Sequence, residues 1–435
     1  MTETTTHPAF AHEVDGWTTY LREPTADYDQ LVERFAPAFE RVAASNVARE
    51  HDRSFGYDEV AELVREGLGR IRIPVEFDGL GASLEQTFLL LSRLAAADAN
   101  IAHVFRNHLA FVEDRLNAPQ SAGNDRWIER FLAGEFVGGG WTEANNGTYA
   151  TIATTVRRDD ERYLVSGAKF YATGSLFADW LDVIGKSDDG GLLTALVRRD
   201  DPGVELVDDW TGFGQQTTAS GSARYVDVPA EPDNVFDIIE RFVYQGHFYQ
   251  VAILAVLTGI IHASLRDGIE ALRARKRNYP QGLDPVPAND PQLLAVIGGV
   301  SARAYAADAA LREVGRTLDR IAEAHASGDL DLRRARVTEA QLATDHAQLT
   351  IIDAALAATT EIFDALGASG VSTDKALDRH WRNARTLASH NPRVYKARIV
   401  GNWLVMVSTP YRTSRHSALA DRAIEGAGQP KGQGN

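Results

Sequence analysis

The sequence predicts an α+β protein in three successive parts: helices over 25–135, an antiparallel β-barrel over 136–234, and a four-helix bundle over 235–412. Three observations predict it. Apolar residues recur every three or four positions from Asp27 to about Ala133. From about Phe136 the texture changes to short β-branched runs separated by turn residues. After Pro232 the chain returns to long apolar-periodic segments, too long for strands and too many for one hairpin.

In the first part, Tyr28, Leu31, Phe35 and Phe39 mark one helix face, and Val60, Val64 and Leu68 a second. A break follows through Ile73-Pro74 and Phe77 to Ser83. Ser83 with Gln86 three residues on is a capping box, so a helix is expected from Leu84 to Ala97. Asp98-Ala99-Asn100 interrupts it, and the next helix carries His103 and His108. In the second part, strands are expected at Thr151–Val156, Tyr163–Ser166, Trp180–Ile184, Leu192–Val197 and Ala223–Val228. The polar run Arg157–Arg162 forms a hairpin tip. In the third part, helices are expected over about 235–274, 289–325, 332–367 and 375–409. The Gly-, Gln- and Lys-containing tail over 413–435 stands apart, and from about Glu425 it is expected to be disordered.

Bulk properties exclude several classes. At 435 residues the chain needs more than one core. A net charge of −15 without a basic stripe argues against nucleic acid. No cysteine is present, which excludes disulfides, thiolate nucleophiles and Cys-ligated clusters. The start MTETTTHPAF has no basic segment leading into an apolar one, and the longest apolar run, Val251–Ile261, is shorter than a membrane span. A cytoplasmic protein is expected. No His-Glu-x-x-His pattern suggests a metal, and no Gly-x-Gly-x-x-Gly follows a strand.

Four stretches carry chemistry. Gly138-Gly139-Gly140-Trp141-Thr142-Glu143-Ala144-Asn145 joins a glycine run, which lets backbone come close, to hydroxyl and amide groups. Gly167–Ser175 contains Tyr171-Ala172-Thr173. Phe213–Gly221 leads into a strand at Tyr225. Gly367-Ala368-Ser369-Gly370 precedes His380-Trp381-Arg382-Asn383-Ala384-Arg385, trailed by His390-Asn391-Pro392. That last run mixes cations, amides, an indole and imidazoles, which suits an anionic planar ligand better than it suits a bundle surface.

On these stretches the chain, from about 25 to 410, resembles the acyl-CoA dehydrogenase superfamily. It looks closest to the flavin-dependent monooxygenases of that fold, such as the dibenzothiophene monooxygenases, dimethylsulfone-pathway oxidoreductases and amino-sugar N-oxygenases. The dehydrogenases carry a Tyr-Glu-Gly-Thr motif whose Glu is the base. Here the aligned positions are His390 and Asn391, and an amide cannot serve. The earlier alternative position for a base holds Tyr249 or Gln250. Asp374 is the stand-in base that an acyl-CoA dehydrogenase or oxidase with FAD would need, though Ser372-Thr373-Asp374 also reads as a helix cap.

The resemblance implies a two-component enzyme. Reduced FMN, delivered by a separate flavin reductase, would react with dioxygen to a C4a-hydroperoxide that oxygenates a small organosulfur or amine compound. It implies His108, His390 and Ser175 at the reaction centre. His103 is the alternative to His108, a five-residue step away and so on another face. Trp141, Thr142, Asn145, Tyr171, Ala172, Thr173, Arg382 and Asn383 would contact the flavin. Arg277, with its fork matched to phosphate, would reach the flavin tail. A homotetramer formed through the bundle is implied as well.

Overall fold

The computed structural model describes residues 13–14, 17–144 and 151–406. Strands β1 (Glu13–Val14) and β2 (Trp17–Thr18) pair antiparallel ahead of the helices. Helix α1 (Tyr28–Asp52) starts on Asp27, whose side chain accepts from the amides of Asp29 and Gln30. It buries Leu31, Phe35, Ala38 and Val42, one stripe at helical spacing. Helix α2 (Tyr57–Arg65) follows. Helix α3 (Leu84–Ala97) has the expected span and the expected reciprocal box between Ser83 and Gln86. Asp98 ends α3 and caps α4 (Ala99–Asn117), accepting from the amides of Asn100 and Ile101. It also pairs with Arg49 at 2.7 Å, which fixes the corner between the two helices. Helix α5 (Ala122–Ala133) stops at Gly134, whose positive φ of 88° suits a residue without Cβ.

The central part is an open mixed sheet, which corrects the expected antiparallel barrel. Its strands are β3 (Val137–Gly140), β4 (Thr155–Asp159), β5 (Arg162–Lys169), β6 (Trp180–Lys186), β7 (Leu192–Arg198), β8 (Val204–Val207), β9 (Ser222–Ala230) and β10 (Val235–Asp237). The order is β10-β7-β6-β4-β5-β9-β8, with β3 paired to β6. The β3–β6 pairing is parallel, Val137 opposite Trp180 through Gly140 opposite Val183. The chain leaves β3, turns through the β4–β5 hairpin and returns in the direction it left, so closure by antiparallel neighbours alone is impossible. The expected strand at 151–156 begins only at Thr155, because Glu143 takes the amides of Ala153 and Thr154 out of the ladder.

Helices α6 (Gln245–Ala274), α7 (Pro291–Ala326) and α8 (Leu330–Glu361) form the body of the bundle. The fourth expected segment is split into α9 (Asp378–Ala388) and α10 (Lys396–Met406). Pro392 lacks the amide a continuous helix would need there. Both α6 and α7 are long and apolar enough to cross a membrane by length and composition. The apolar window of α6 is 78% buried inside the protein, so its composition is that of a core helix.

A buried charge network joins the three parts. Arg241 lies between Asp182 (3.0 Å) and Asp114 (3.2 Å), and Asp114 also takes Arg115. Arg72 pairs with Glu113 at 2.8 Å, and the Tyr244 hydroxyl donates to the same carboxylate. Two carboxylates against two guanidiniums leave the Arg241 cluster balanced, the condition for burying charge at tolerable cost.

Candidate active site

Helix α4 supplies the first two groups. His103 is buried, and Gln215 Oε1 accepts from its Nδ1 at 2.9 Å. With Nδ1 carrying the proton, Nε2 presents a lone pair, and that atom is buried without a partner. Burial, helped by the charge of Arg106, holds the His103 pKa down at about 3, so the ring is neutral at pH 7. Arg106, one turn on, donates from Nε to the Tyr249 carbonyl at 3.1 Å and lies 4.6 Å over the Tyr249 ring.

The loop between β8 and β9 brings Gln215 to His103. Gln215 sits in the left-handed region (φ 55°), unusual for a residue with a side chain. Asn383 on α9 holds it there, its Oδ1 accepting from the Gln215 amide at 2.6 Å. The break after α9 then places the His390 ring 6.4 Å from the His103 ring, edge to face. His390 is open to solvent, yet the protein around it, Arg106 and His103 keep its pKa well below the usual imidazole range. A side chain both reached by water and crowded by protein lines a recess. Trp141 completes the group, 6.1 Å from the Tyr249 ring and tied by its indole N–H to Asp182 at 3.0 Å.

Several residues singled out in the sequence lie elsewhere or do other work. His108 is 1% exposed, accepts from the Val137 amide at Nδ1, and donates from Nε2 to the Gly69 carbonyl at 2.9 Å. Its ring stacks on Phe136, so both nitrogens and one face are engaged within the protein, the arrangement of a packing residue and not the catalytic placement expected for it. His103, the alternative, faces the recess. Ser175 is buried with its hydroxyl on the Ala219 carbonyl, and Ala172 is fully buried. Thr173 is turned inward: its hydroxyl meets Ser220 at 2.8 Å and its carbonyl takes Asn107 and the Gly139 amide. A Cβ on Gly139 would stand 2.3 Å from the Asn107 side-chain amide and displace it from the Thr173 carbonyl, so glycine suits this close approach of β3 and α4.

Arg382 is already engaged by Glu50 (2.6 Å), Asp378 (2.8 Å) and the Phe213 carbonyl (3.0 Å). It fastens the loop before Gln215 to α9, and its charge is balanced without a flavin. Tyr171 is 49% exposed with a positive φ of 59°, beside Trp210. Thr142 is exposed as well, while Glu143 is anchored by Lys169 and Thr154. Arg277 is exposed. Asn145 lies outside the described residues. Asp374 is exposed in a short 3-10 turn, Thr373–Lys375, and α9 begins on Leu377 without a side-chain cap, so the expected cap does not form.

A cavity of about 480 Å³ lies between α2 and the end of α5, lined by Tyr57, Val64, Phe136 and Phe177 among others. A second, of about 390 Å³, opens over the sheet beside Ala144, Phe170 and Glu205. Neither contains the paired imidazoles. The second adjoins the exposed positions Thr142 and Tyr171. Arg106, Tyr249 and Gln215 were not singled out as site residues in the sequence. The signal that could have found Arg106 is a cation one turn from a histidine, set among the apolar residues Val104, Phe105 and Leu109.

Comparison with known proteins agrees with this architecture. A family model described as acyl-CoA dehydrogenase, N-terminal domain, matches residues 25–135, and one described as acyl-CoA dehydrogenase, C-terminal domain, matches residues 251–393. Together they cover more than half of the chain. The chain is 27% identical to a dibenzothiophene monooxygenase of Mycolicibacterium goodii, over 82% of this chain and 89% of that one. It is 26% identical to the probable FMNH2-dependent monooxygenase SfnC of Pseudomonas putida, over 79% and 87%. The fold matches that of TdsC from Paenibacillus sp. A11-2, solved with FMN and indole, with a TM-score of 0.79 at 24% identity over 88% and 99% of the two chains. With the base position of the dehydrogenases occupied by His390 and Asn391, the chain belongs to the acyl-CoA dehydrogenase superfamily, in its flavin-dependent monooxygenase branch.

Proposed function

We propose that this protein is the oxygenase component of a two-component system, placing one atom of dioxygen on a small organosulfur or amine compound. The observation that carries this reading is the pair of neutral imidazoles, His103 and His390, on a recess whose nearest groups are Arg106, Tyr249 and Gln215. None of these is a carboxylate that could strip an α-proton, so the acyl-CoA dehydrogenase alternative with Asp374 as base is not favoured. The similarity to FMN-dependent monooxygenases points the same way.

The orphaned Nε2 of His103 suits a flavin, because a reduced ring edge carries N–H donors. Reduced FMN, brought by a separate reductase, supplies the electrons that activate dioxygen. His103 would hold a proton or hydrogen bond at Nε2, kept in that tautomer by Gln215. His390, open to water, would pass protons to and from bulk. Trp141 and Tyr249 would screen the reacting atoms from solvent. Thr142 and Tyr171, beside the second cavity, remain our candidates for flavin contact, with Arg277 at the phosphate of a flavin held with a neighbouring copy.

A homotetramer is part of the same reading. It is supported by the first half of α7, where Leu294 and Tyr305 are 49% and 78% exposed and an apolar stretch is only 17% buried. Sedimentation of the intact protein would give a four-chain species; a monomer removes this part.

The test of the reaction mixes anaerobic protein and reduced FMN with ¹⁸O-labelled dioxygen and a panel of organosulfur compounds and amines. Flavin reoxidation slower than that of free reduced FMN, with one label in the product, is the expected result. Reoxidation at the free rate and unlabelled compounds would sink the reading.

A further inference from the structure

We propose that Arg106 is a docking point for an anionic group on the substrate, so that the compound oxygenated is a small organic anion, a sulfinate, sulfonate or carboxylate, in preference to a neutral molecule. The catalytic half of this statement rests on the monooxygenase reading; the anion subsite does not.

The argument begins with charge balance. Five other buried arginines, Arg49, Arg72, Arg115, Arg241 and Arg379, each meet a carboxylate: Asp98, Glu113, Asp114, Asp182 and Asp267. Arg106 is slightly more exposed than these, at 9%, and among the described residues no carboxylate is seen to pair with it; its contacts lie on Tyr249. They are the Tyr249 carbonyl at Nε and the Tyr249 ring beneath the guanidinium. Those contacts orient the fork and neutralise nothing. An unpaired buried cation is costly to keep, and the cost is removed when an anion arrives. Burial lowers the Arg106 pKa to about 10, so it stays charged at neutral pH.

Position comes next. Arg106 is one helical turn from His103, on the same side of α4. The His390 ring lies 6.4 Å from that of His103, so the three groups border one recess. The guanidinium is planar and donates two parallel hydrogen bonds, the match for two oxygens of a sulfinate, sulfonate or carboxylate. The flavin phosphate is the other source of oxyanion. It is separated from the ring by the ribityl chain, so a guanidinium beside the groups that act at the reacting edge is poorly placed to hold it.

The test uses the full chain and does not depend on turnover. Calorimetric titration would compare benzenesulfinate with methyl phenyl sulfone, a neutral near-isostere, in wild type, Arg106→Gln and Arg106→Lys. FMN affinity would be followed in parallel by fluorescence quenching, and each variant's folding by its melting temperature. Expected is tight binding of sulfinate over sulfone in wild type, a loss of roughly tenfold or more in Arg106→Gln, and partial recovery in Arg106→Lys, with FMN affinity unchanged. Equal binding of sulfinate and sulfone in wild type overturns the subsite. So does loss of FMN affinity in Arg106→Gln with sulfinate binding intact, which would assign the guanidinium to the flavin phosphate. Sulfinate held through Arg106 but never oxygenated would uphold the subsite and refute the oxygenase reading. Oxygenation of methyl phenyl sulfoxide, a neutral compound whose sulfur can still take an oxygen atom, with no preference for anions would do the reverse.

Discussion

His108 earns its place through packing. Its two nitrogens bridge the Gly69 carbonyl and the Val137 amide, joining the segment after α2 to the first strand of the sheet. Removing the ring would leave a buried donor and acceptor unmatched and a cavity against Phe136. We expect His108→Ala to cost about 3 kcal/mol of stability, read by chemical denaturation. The fraction that remains folded should oxygenate at nearly the wild-type rate. A folded, stable variant without activity would return His108 to the chemistry. His103 and His108 were hard to separate in the sequence for a physical reason. Helix α4 is buried almost all round, from Ala99 to Asn117 with Asn107 the exception, so no polar face shows which side meets a ligand. Residue type flagged both rings; only the neighbours on Gln215 and Gly69 tell them apart.

At the level of elements, the most informative corner is Asp98. It ends α3, caps α4 and answers the charge of Arg49. Its removal would free two amides and leave Arg49 with Glu59 as the carboxylate that answers its charge. Asp98→Ala is expected to destabilise the protein by about 2–3 kcal/mol, seen as a lower denaturant midpoint. A loss under 1 kcal/mol would mean that α4 is positioned by packing alone. Local punctuation of this kind was legible: the Ser83–Gln86 box, the interruption at Asp98 and the strands at Trp180 and Leu192 all stand where the residues put them. What was not legible is long-range. The parallel pairing of β3 with β6 leaves no mark in either strand, since Val137–Gly140 reads the same beside any neighbour. Likewise Arg382 and Asn383 advertise polarity, but their partners Glu50 and Gln215 are remote in sequence, so a structural tie resembled a ligand contact.

For the whole molecule, buried neutral imidazoles set the response to acid. Burial holds the pKa of His103 at about 3 and those of His108 and His247 at about 4, against 6.5 when unfolded. Below pH 6.5 the unfolded chain therefore binds protons that the folded chain refuses, and unfolding is favoured. Their contribution is unimpaired above pH 6.5 and declines as pH falls toward 4, by about 1.4 kcal/mol per pH unit for each ring. Melting temperature should drop steeply between pH 6.5 and 5. A flat profile over that range would show that these rings are charged in the folded protein.

The tie from Asn383 through Gln215 to His103 has a consequence for how this chain can change. One imidazole is set by an amide from a loop of the sheet, which is set by an amide from the last part of the bundle. The three regions therefore cannot be inherited or exchanged separately. A chimera that takes its first 135 residues from a relative must match the core and buried charges shared with the rest of the chain, and its histidine would lose its fixed tautomer unless the donor of the remaining chain also carried an amide at both positions. Recombination at the obvious seams is therefore tested twice, by folding and by chemistry.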